Sequence, residues 1–270
     1  MSTLEEDKLY SSRVLFGGHM DYYNHVYYKS NENLYFLFSQ VDIAGKDVLT
    51  VVGSGDQAFH CYDRDAKSVT LFDKNKLTIY YYYLRLWVIK YLNKYYPDNC
   101  FPKDWMYFLL GQVECRNQDE KDALMYWKYI ISTYGEDTYN RLFFRGFDDK
   151  NNELENLSKL KNRINNDDVN FYLTDISKDN NIEGKYDLII TSNISDYIIQ
   201  SEEVMKSYRN ITYKLLKKDG MIVNSNLRKC GPTNLERNTF EEMFDYKELN
   251  EYSGFPVGYV YKKGSMVKWV

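Results

Sequence analysis

Two features of the chain carry chemistry before any fold is assumed. The segment Gly53-Ser54-Gly55-Asp56-Gln57-Ala58 fits the pattern G-x-G-x-x-G/A. Asp73 follows Gly53 by twenty residues. Glycine lets a backbone turn sharply, and lets a ligand approach with no Cβ in the way. A helix opening directly after such a turn offers free N–H donors. A carboxylate about twenty residues further on can accept hydrogen bonds from both hydroxyls of a ribose. In this order the two features describe a holder for a nucleoside. Taken singly, each has a plainer reading: an ordinary strand-to-helix turn for the glycines, and a helix N-cap for Asp73.

Elements must position these residues. Val48 to Val52 is a short β-branched run ending at the glycine turn, and reads as a buried parallel strand. Asp56 to Arg64 reads as a helix, Ser68 to Phe72 as a second strand ending at Asp73, and Asn75 to Tyr95 as a long helix stopping before Pro97. Asn31 to Val41 spaces Leu34, Leu37, Phe38 and Val41 as a helix does. The alternation resumes with strands at Val169 to Leu173, Tyr186 to Thr191 and Met221 to Asn224. Glu202 to Leu216 is a helix with Gly220 at its stop, and a final hairpin turns around Gly254-Phe255-Pro256. Strands alternating with helices predict a Rossmann-like α/β fold with a mostly parallel sheet and a terminal antiparallel hairpin, the class I methyltransferase version of that architecture.

The division expected is an N-terminal helical segment over 1–45 that closes the site, a Rossmann-like domain over 46–97 and 168–270, and a helical insertion over 98–167. No strand is expected in the insertion. Asn151 to Asn166 is so polar that it reads as solvent-facing.

In such sheets ligands bind outside the carboxyl ends of the strands. Asp175-Ile176 and Ser192-Asn193 close the third and fourth strands, where an adenine base and the tail beyond the sugar would be touched. Asp175 reads equally as a turn cap. A nicotinamide dehydrogenase shares the first two features, but no second catalytic domain and no matching His-Arg or Tyr-Lys constellation is visible. A sulfonium nucleoside suits this acidic chain, with Asp56 among the carboxylates available to balance its charge.

Composition excludes other classes. The formal net charge is -4 and no long basic stripe is present, so a nucleic-acid partner is not expected. Lys214, Lys217 and Lys218 read as a solvated helix end. The 28 tyrosines reflect a biased composition rather than a stacking function. The 4 cysteines show no metal-ligand spacing, and His19 and His25 are not spaced as a helical pair, so no metal is expected. The N-terminus lacks the marks of a signal peptide, and no apolar run approaches the roughly 20 residues that span a bilayer. A cytoplasmic protein in a reducing compartment is the expectation. Oligomeric state has no visible signature.

Four blocks give the chain a likeness. They are Ser30-Asn31-Glu32-Asn33-Leu34, the run from Val48 through Gly53-Ser54-Gly55-Asp56-Gln57, the block Phe72-Asp73-Lys74-Asn75, and Asp187 through Ser192-Asn193-Ile194-Ser195-Asp196-Tyr197. In their order and spacing the chain resembles the bacterial S-adenosylmethionine:diacylglycerol 3-amino-3-carboxypropyltransferase-like proteins, a branch of the class I methyltransferase superfamily. The resemblance implies S-adenosylmethionine as ligand. It implies Gly53, Ser54, Gly55 and Asp56 beside the methionine part and Asp73, with Lys74 and Asn75, at the ribose. Asp175 and Ile176 fall near adenine, Ser192 and Asn193 face the sulfonium, and Ser30 and Asn33 join from the N-terminal segment. Gln57 stands where a third glycine often stands, and Val51 where an acidic residue often stands, which weighs against methyl transfer rather than against the fold. The lipid substrate is not implied, since no amphipathic membrane-docking face is visible.

The expected reaction is transfer of the 3-amino-3-carboxypropyl group to a small-molecule amine or hydroxyl. Asp196 or Tyr197 orients or deprotonates that acceptor, and Tyr28 closes the pocket. Asp196 as a helix cap and Tyr197 as a packed ring are the bland counterparts. A small-molecule methyltransferase and a non-catalytic S-adenosylmethionine-binding scaffold are the rival functions.

Overall fold

The computed structural model describes residues 26–27, 29–30, 32–94, 103–135, 143–144, 157–166, 169–178, 181–198, 201–225, 234–241, 243–250 and 256–263 of the chain. At its centre are Val48, Leu49, Thr50 and Val51, all buried, in strand β2 (Asp47–Val51). Successive side chains of a strand point to opposite faces. Val48 accordingly packs into one apolar cluster with Leu71, Leu188, Ile190 and Val223, while Leu49 and Val51 pack into a second with Phe72, Ile189 and Ile222. A strand apolar on both faces needs helices on both sides of its sheet.

The strands after β2 are β3 (Ser68–Asp73), β5 (Asn170–Leu173), β6 (Tyr186–Ser192), β7 (Leu216–Ser225), β8 (Phe244–Asn250) and β9 (Pro256–Lys263). They form one seven-stranded sheet in the order β5-β3-β2-β6-β7-β9-β8. Pairing is parallel from β5 to β7, and antiparallel for β9 against both β7 and β8. From β2 the chain builds outward through β3 to β5, then returns to β2's other side and builds through β6 to β7. The direction of winding therefore reverses between β2 and β6. This order, with its terminal hairpin, is the Rossmann-like class I methyltransferase arrangement expected from the sequence.

Helix α2 (Asp56–Asp63) and helix α3 (Lys76–Trp87) belong to the first cluster, with Ala58, Phe59, Tyr81 and Leu84 among its buried members. Helix α8 (Glu202–Leu215) and helix α9 (Asn234–Glu241) cover the second through Met205, Tyr208 and Phe240. The short helix α1 (Leu34–Ser39) adds Leu37 and Phe38 to the first. Between β3 and β5 lie α4 (Lys103–Gln112), α5 (Gln118–Tyr134) and α6 (Leu157–Asn166). Trp127 of α5 donates its indole N–H to the Tyr80 carbonyl of α3 at 2.8 Å, which fixes α5 against the sheet's own helix. Among the described residues no helix is long and apolar enough to cross a membrane.

Several expectations are corrected. The long aromatic helix changes to a π-turn over Val88–Leu92 and closes at Asn93 in the left-handed region (φ 54), short of Tyr95. The polar stretch before Asn166 is a helix from Leu157, and it buries Leu160 and Ile164; two apolar residues four apart are enough to dock it. A strand does occur there: β4 (Phe143–Phe144) pairs in parallel with β1 (Val26–Tyr27). Gly220 is not a helix stop. Helix α8 ends at Leu215, and β7 begins at once because buried Leu216 already pairs with Tyr186 of β6. Lys217 therefore lies in the sheet, where it bonds Asp47 and Asp187, rather than at a solvated helix end.

Candidate functional site

The carboxyl ends of β2, β3, β5, β6 and β7 share one edge of the sheet, and the winding reverses between β2 and β6 at that edge. The turn after β2 uses left-handed glycines, Gly53 at φ 51 and Gly55 at φ 89. A Cβ on Gly55 would lie 2.9 Å from the Tyr82 ring and 3.2 Å from Phe59, so no side chain fits there. Gly55 N–H donates to the Val52 carbonyl, closing the turn, and α2 starts at the next residue.

Asp56, the first residue of α2, is wholly buried against Arg85 of α3. The Arg85 guanidinium donates to Asp56 Oδ1 and to the Ser54 carbonyl, each at 2.7 Å, and lies over the Phe59 ring. Ser30 N–H and Ser54 Oγ donate to Asp56 Oδ2. Burial alone would push this carboxyl up, but the Arg85 charge and these hydrogen bonds hold it below the usual range. Asp56, expected among the carboxylates that balance a sulfonium, has Arg85 as its counter-charge in this structure.

Asp73 closes β3. Its Oδ2 accepts from Gly53 N–H at 3.2 Å and its Oδ1 from Asn75 N–H at 2.8 Å. One backbone donor on each oxygen leaves acceptor capacity on both, the arrangement two vicinal hydroxyls need. Burial raises this carboxyl against the lowering effect of Asn75, Gly53, Thr78 and Lys74. Lys74 is itself lowered by burial, opposed by Asp175 and Asp73. Asn75 caps α3 by accepting from Leu77 N–H, and Asn33 caps α1 by accepting from Phe36 N–H. Asp175 accepts from Ser177 N–H and Oγ and pairs with Lys178, while Ile176 is buried.

Sequence reasoning missed a buried acid at this edge. Glu32 has 5% exposure, and its oxygens accept from Ser192 Oγ at the end of β6, Ser225 Oγ at the end of β7, Gln57 Nε2 at 2.9 Å and Ser30 Oγ at 3.4 Å. Burial raises its carboxyl against those four bonds. The ends of β6 and β7 are stiffened by buried neighbours: Thr191 Oγ1 donates to Asn224 Oδ1, and Asn224 Nδ2 to Glu236 Oε1. A single glutamate on a loop has no periodicity to mark it; its one signal was its place inside the Ser30-to-Leu34 block. Arg85 had a better signal, a lone guanidinium in a run of buried aromatics that must find an acid.

The structure thus brings together Ser30, Gly53, Ser54, Gly55, Asp56, Asp73, Ser192 and the unforeseen Glu32 and Gln57. Ser192 has a positive φ of 55, and Asn193 Oδ1 lies 3.1 Å from its hydroxyl. Asp196 and Tyr197 belong to the short helix α7 (Ile194–Ile198) that follows at once, and their side chains lie outside what is described. Tyr28 lies outside the described residues altogether. Among the described residues no cluster of His, Cys, Asp and Glu could hold a metal ion.

No family model and no curated protein matches this chain. Solved structures do. The N-methyltransferase NodS from Bradyrhizobium japonicum, in complex with S-adenosyl-L-homocysteine, is similar at TM-score 0.46 and 10% identity over 96% of this chain and 99% of that one. The magnesium protoporphyrin IX methyltransferase ChlM from Synechocystis, with bound S-adenosylmethionine, is similar at TM-score 0.44 and 9% identity over 98% and 100%. TrmN from Thermus thermophilus is similar at TM-score 0.42 and 11% identity over 84% of this chain, which spans about half of it, 47%. Likenesses at this level assign no residue its role; the fold rests on the chain's own strand order.

Proposed function

We propose that the chain is an enzyme that binds S-adenosylmethionine along the carboxyl edge of its sheet and transfers the 3-amino-3-carboxypropyl group to an amine or hydroxyl of a small-molecule acceptor. The observation that carries the nucleoside part is the bond from Gly53 N–H to Asp73. It couples the bare turn to a carboxylate that accepts one backbone N–H on each oxygen. Ribose on Asp73 directs the base toward β5, where Asp175 and Ile176 stand, and the tail toward β6. Lys74 and Asn75 border the sugar. Ser54 and Gly55 lie under the tail.

The choice of group rests on the likeness to aminocarboxypropyltransferases, including Gln57 and Val51 at positions where methyltransferases often carry Gly and an acid. A lone pair of the acceptor attacks the γ-carbon in line with sulfur. That carbon–sulfur bond breaks, its electrons stay on sulfur, and methylthioadenosine leaves. The acceptor's proton passes to a base. Asp196 or Tyr197 serves that step, from the helix that follows Ser192-Asn193, while Tyr28, Ser30 and Asn33 close the pocket. Orientation of the three sulfonium carbons decides which one reacts.

Product analysis by mass spectrometry tests the reading: methylthioadenosine and an acceptor heavier by the aminocarboxypropyl group are expected. S-adenosylhomocysteine as sole nucleoside product would replace it with methyl transfer. Cofactor binding without turnover, together with a co-purifying protein partner, would favour a scaffold.

A further inference from the structure

Among the described residues Glu32 has no cationic partner. Its four partners, Ser192, Ser225, Gln57 and Ser30, are neutral donors. Beside it is the converse deficit. Gln57 has 3% exposure, and while its Nε2 donates to Glu32, its Oε1 is a buried acceptor with no hydrogen-bond partner among the described residues. A buried acceptor left unpaired costs free energy, and a buried anion without counter-charge costs more. Both deficits lie at the switch point, beside the bare turn; the Gln57 amide sits 3.7 Å from where a Gly53 Cβ would stand.

One kind of group answers both. A primary ammonium carries a positive charge and three donors, and no acceptor. We propose that Glu32 and Gln57 Oε1 form the subsite for the α-ammonium of the ligand's amino-acid tail. The assignment rests on the nucleoside reading of Asp73 above. Strands lie about 4.8 Å apart, so from the end of β3 across β2 to β6 is roughly 10 Å, and the tail extends from the ribose in that direction. Glu32 can yield a lone pair. Ser192 Oγ also lies 3.1 Å from Asn193 Oδ1 and can rotate its hydrogen there. The same anion rejects a ligand whose tail ends in a carboxylate alone.

Calorimetry with S-adenosylhomocysteine and methylthioadenosine on the full chain tests this, because the first carries the α-ammonium and the second has no amino-acid tail. In Glu32→Gln, affinity for S-adenosylhomocysteine should fall about tenfold or more, with methylthioadenosine unchanged within about twofold. Equal losses for both ligands, or no loss for either, overturn the proposal. Should Glu32→Gln fail to fold, Gln57→Met decides by the same pair of ligands: a selective loss of S-adenosylhomocysteine supports the subsite, and an unselective loss or none overturns it. The two readings fail differently. Wild-type protein that binds neither ligand defeats the nucleoside site itself; wild-type protein that binds methylthioadenosine as tightly as S-adenosylhomocysteine defeats only the ammonium subsite.

Discussion

The two edges of the sheet treat their carboxylates in opposite ways. At the amino edge, Asp47, the first residue of β2, and Asp187, the second of β6, share one lysine: Lys217 Nζ lies 2.6 Å from Asp47 and 2.8 Å from Asp187. Lys67 adds a longer contact to Asp47 at 3.3 Å. Each acid there has a cation, and water reaches the cluster. At the carboxyl edge Glu32, Asp56 and Asp73 are all buried. Only Asp56 has a buried cation, Arg85, while neutral donors hold Glu32 and backbone N–H groups hold Asp73. The amino edge is complete in itself. The carboxyl edge keeps charge and acceptor capacity that its described residues do not satisfy, and that surplus is what the proposed binding site rests on.

The comparison breaks most visibly at Arg85. Replacing Arg85 by Leu leaves Asp56 charged and enclosed, and should destabilise the fold by about 3–5 kcal/mol in urea denaturation. Asp47→Asn at the amino edge should cost within about 1 kcal/mol, as exposed pairs do. Equal costs would show that the edges do not differ as described. A function-specific effect comes next. Asp73→Ala removes hydrogen bonds to a charged acceptor, each worth about 1.5–3 kcal/mol, so methylthioadenosine should bind tenfold or more weakly by calorimetry; unaltered binding would take the sugar away from Asp73. Gly55→Ala, forced to φ 89 against Tyr82 and Phe59, should lower stability by about 1–3 kcal/mol. A change below about 0.5 kcal/mol would mean that those rings yield easily.

Legibility in the sequence follows the same division. The sheet was readable because Val48 to Val52, Val69 to Phe72 and Leu188 to Thr191 are short runs rich in apolar and β-branched residues, and local pattern is all a buried parallel strand requires. The turn and Asp73 were readable from spacing along the chain. Glu32 was not, since it meets Ser192 and Ser225 only when strands 160 and 193 residues distant arrive beside it. The ion pair of Asp56 was hidden for the same reason: only folding brings Arg85 to it. Helix α9 escaped notice because Phe240, its one large buried apolar side chain, gives too little periodicity, and α6 because Leu160 and Ile164 are lost among polar neighbours.

Titration gives the smallest effects and separates the edges by sign. Asp47 is held down to about 2, chiefly by the hydrogen bond from Lys217, against an ordinary value of 3.8. A carboxyl lowered in the folded state contributes stability that is present above 3.8 and lost as pH falls toward 2. Glu32 is raised by burial above its ordinary 4.5. Its folded form holds the proton more tightly than the unfolded chain, so its contribution is full below 4.5 and is lost as pH rises through the folded value. Stability measured against pH should therefore show an acid arm that Asp47→Asn flattens and a separate loss above pH 4.5 that Glu32→Gln flattens. A saturating ligand with an α-ammonium should also reduce that second loss, because it favours the ionised carboxylate, whereas methylthioadenosine should leave the curve's shape as it is. Flattening of both arms by either single substitution would mean that the two edges titrate as one coupled system and that the contrast between them is false.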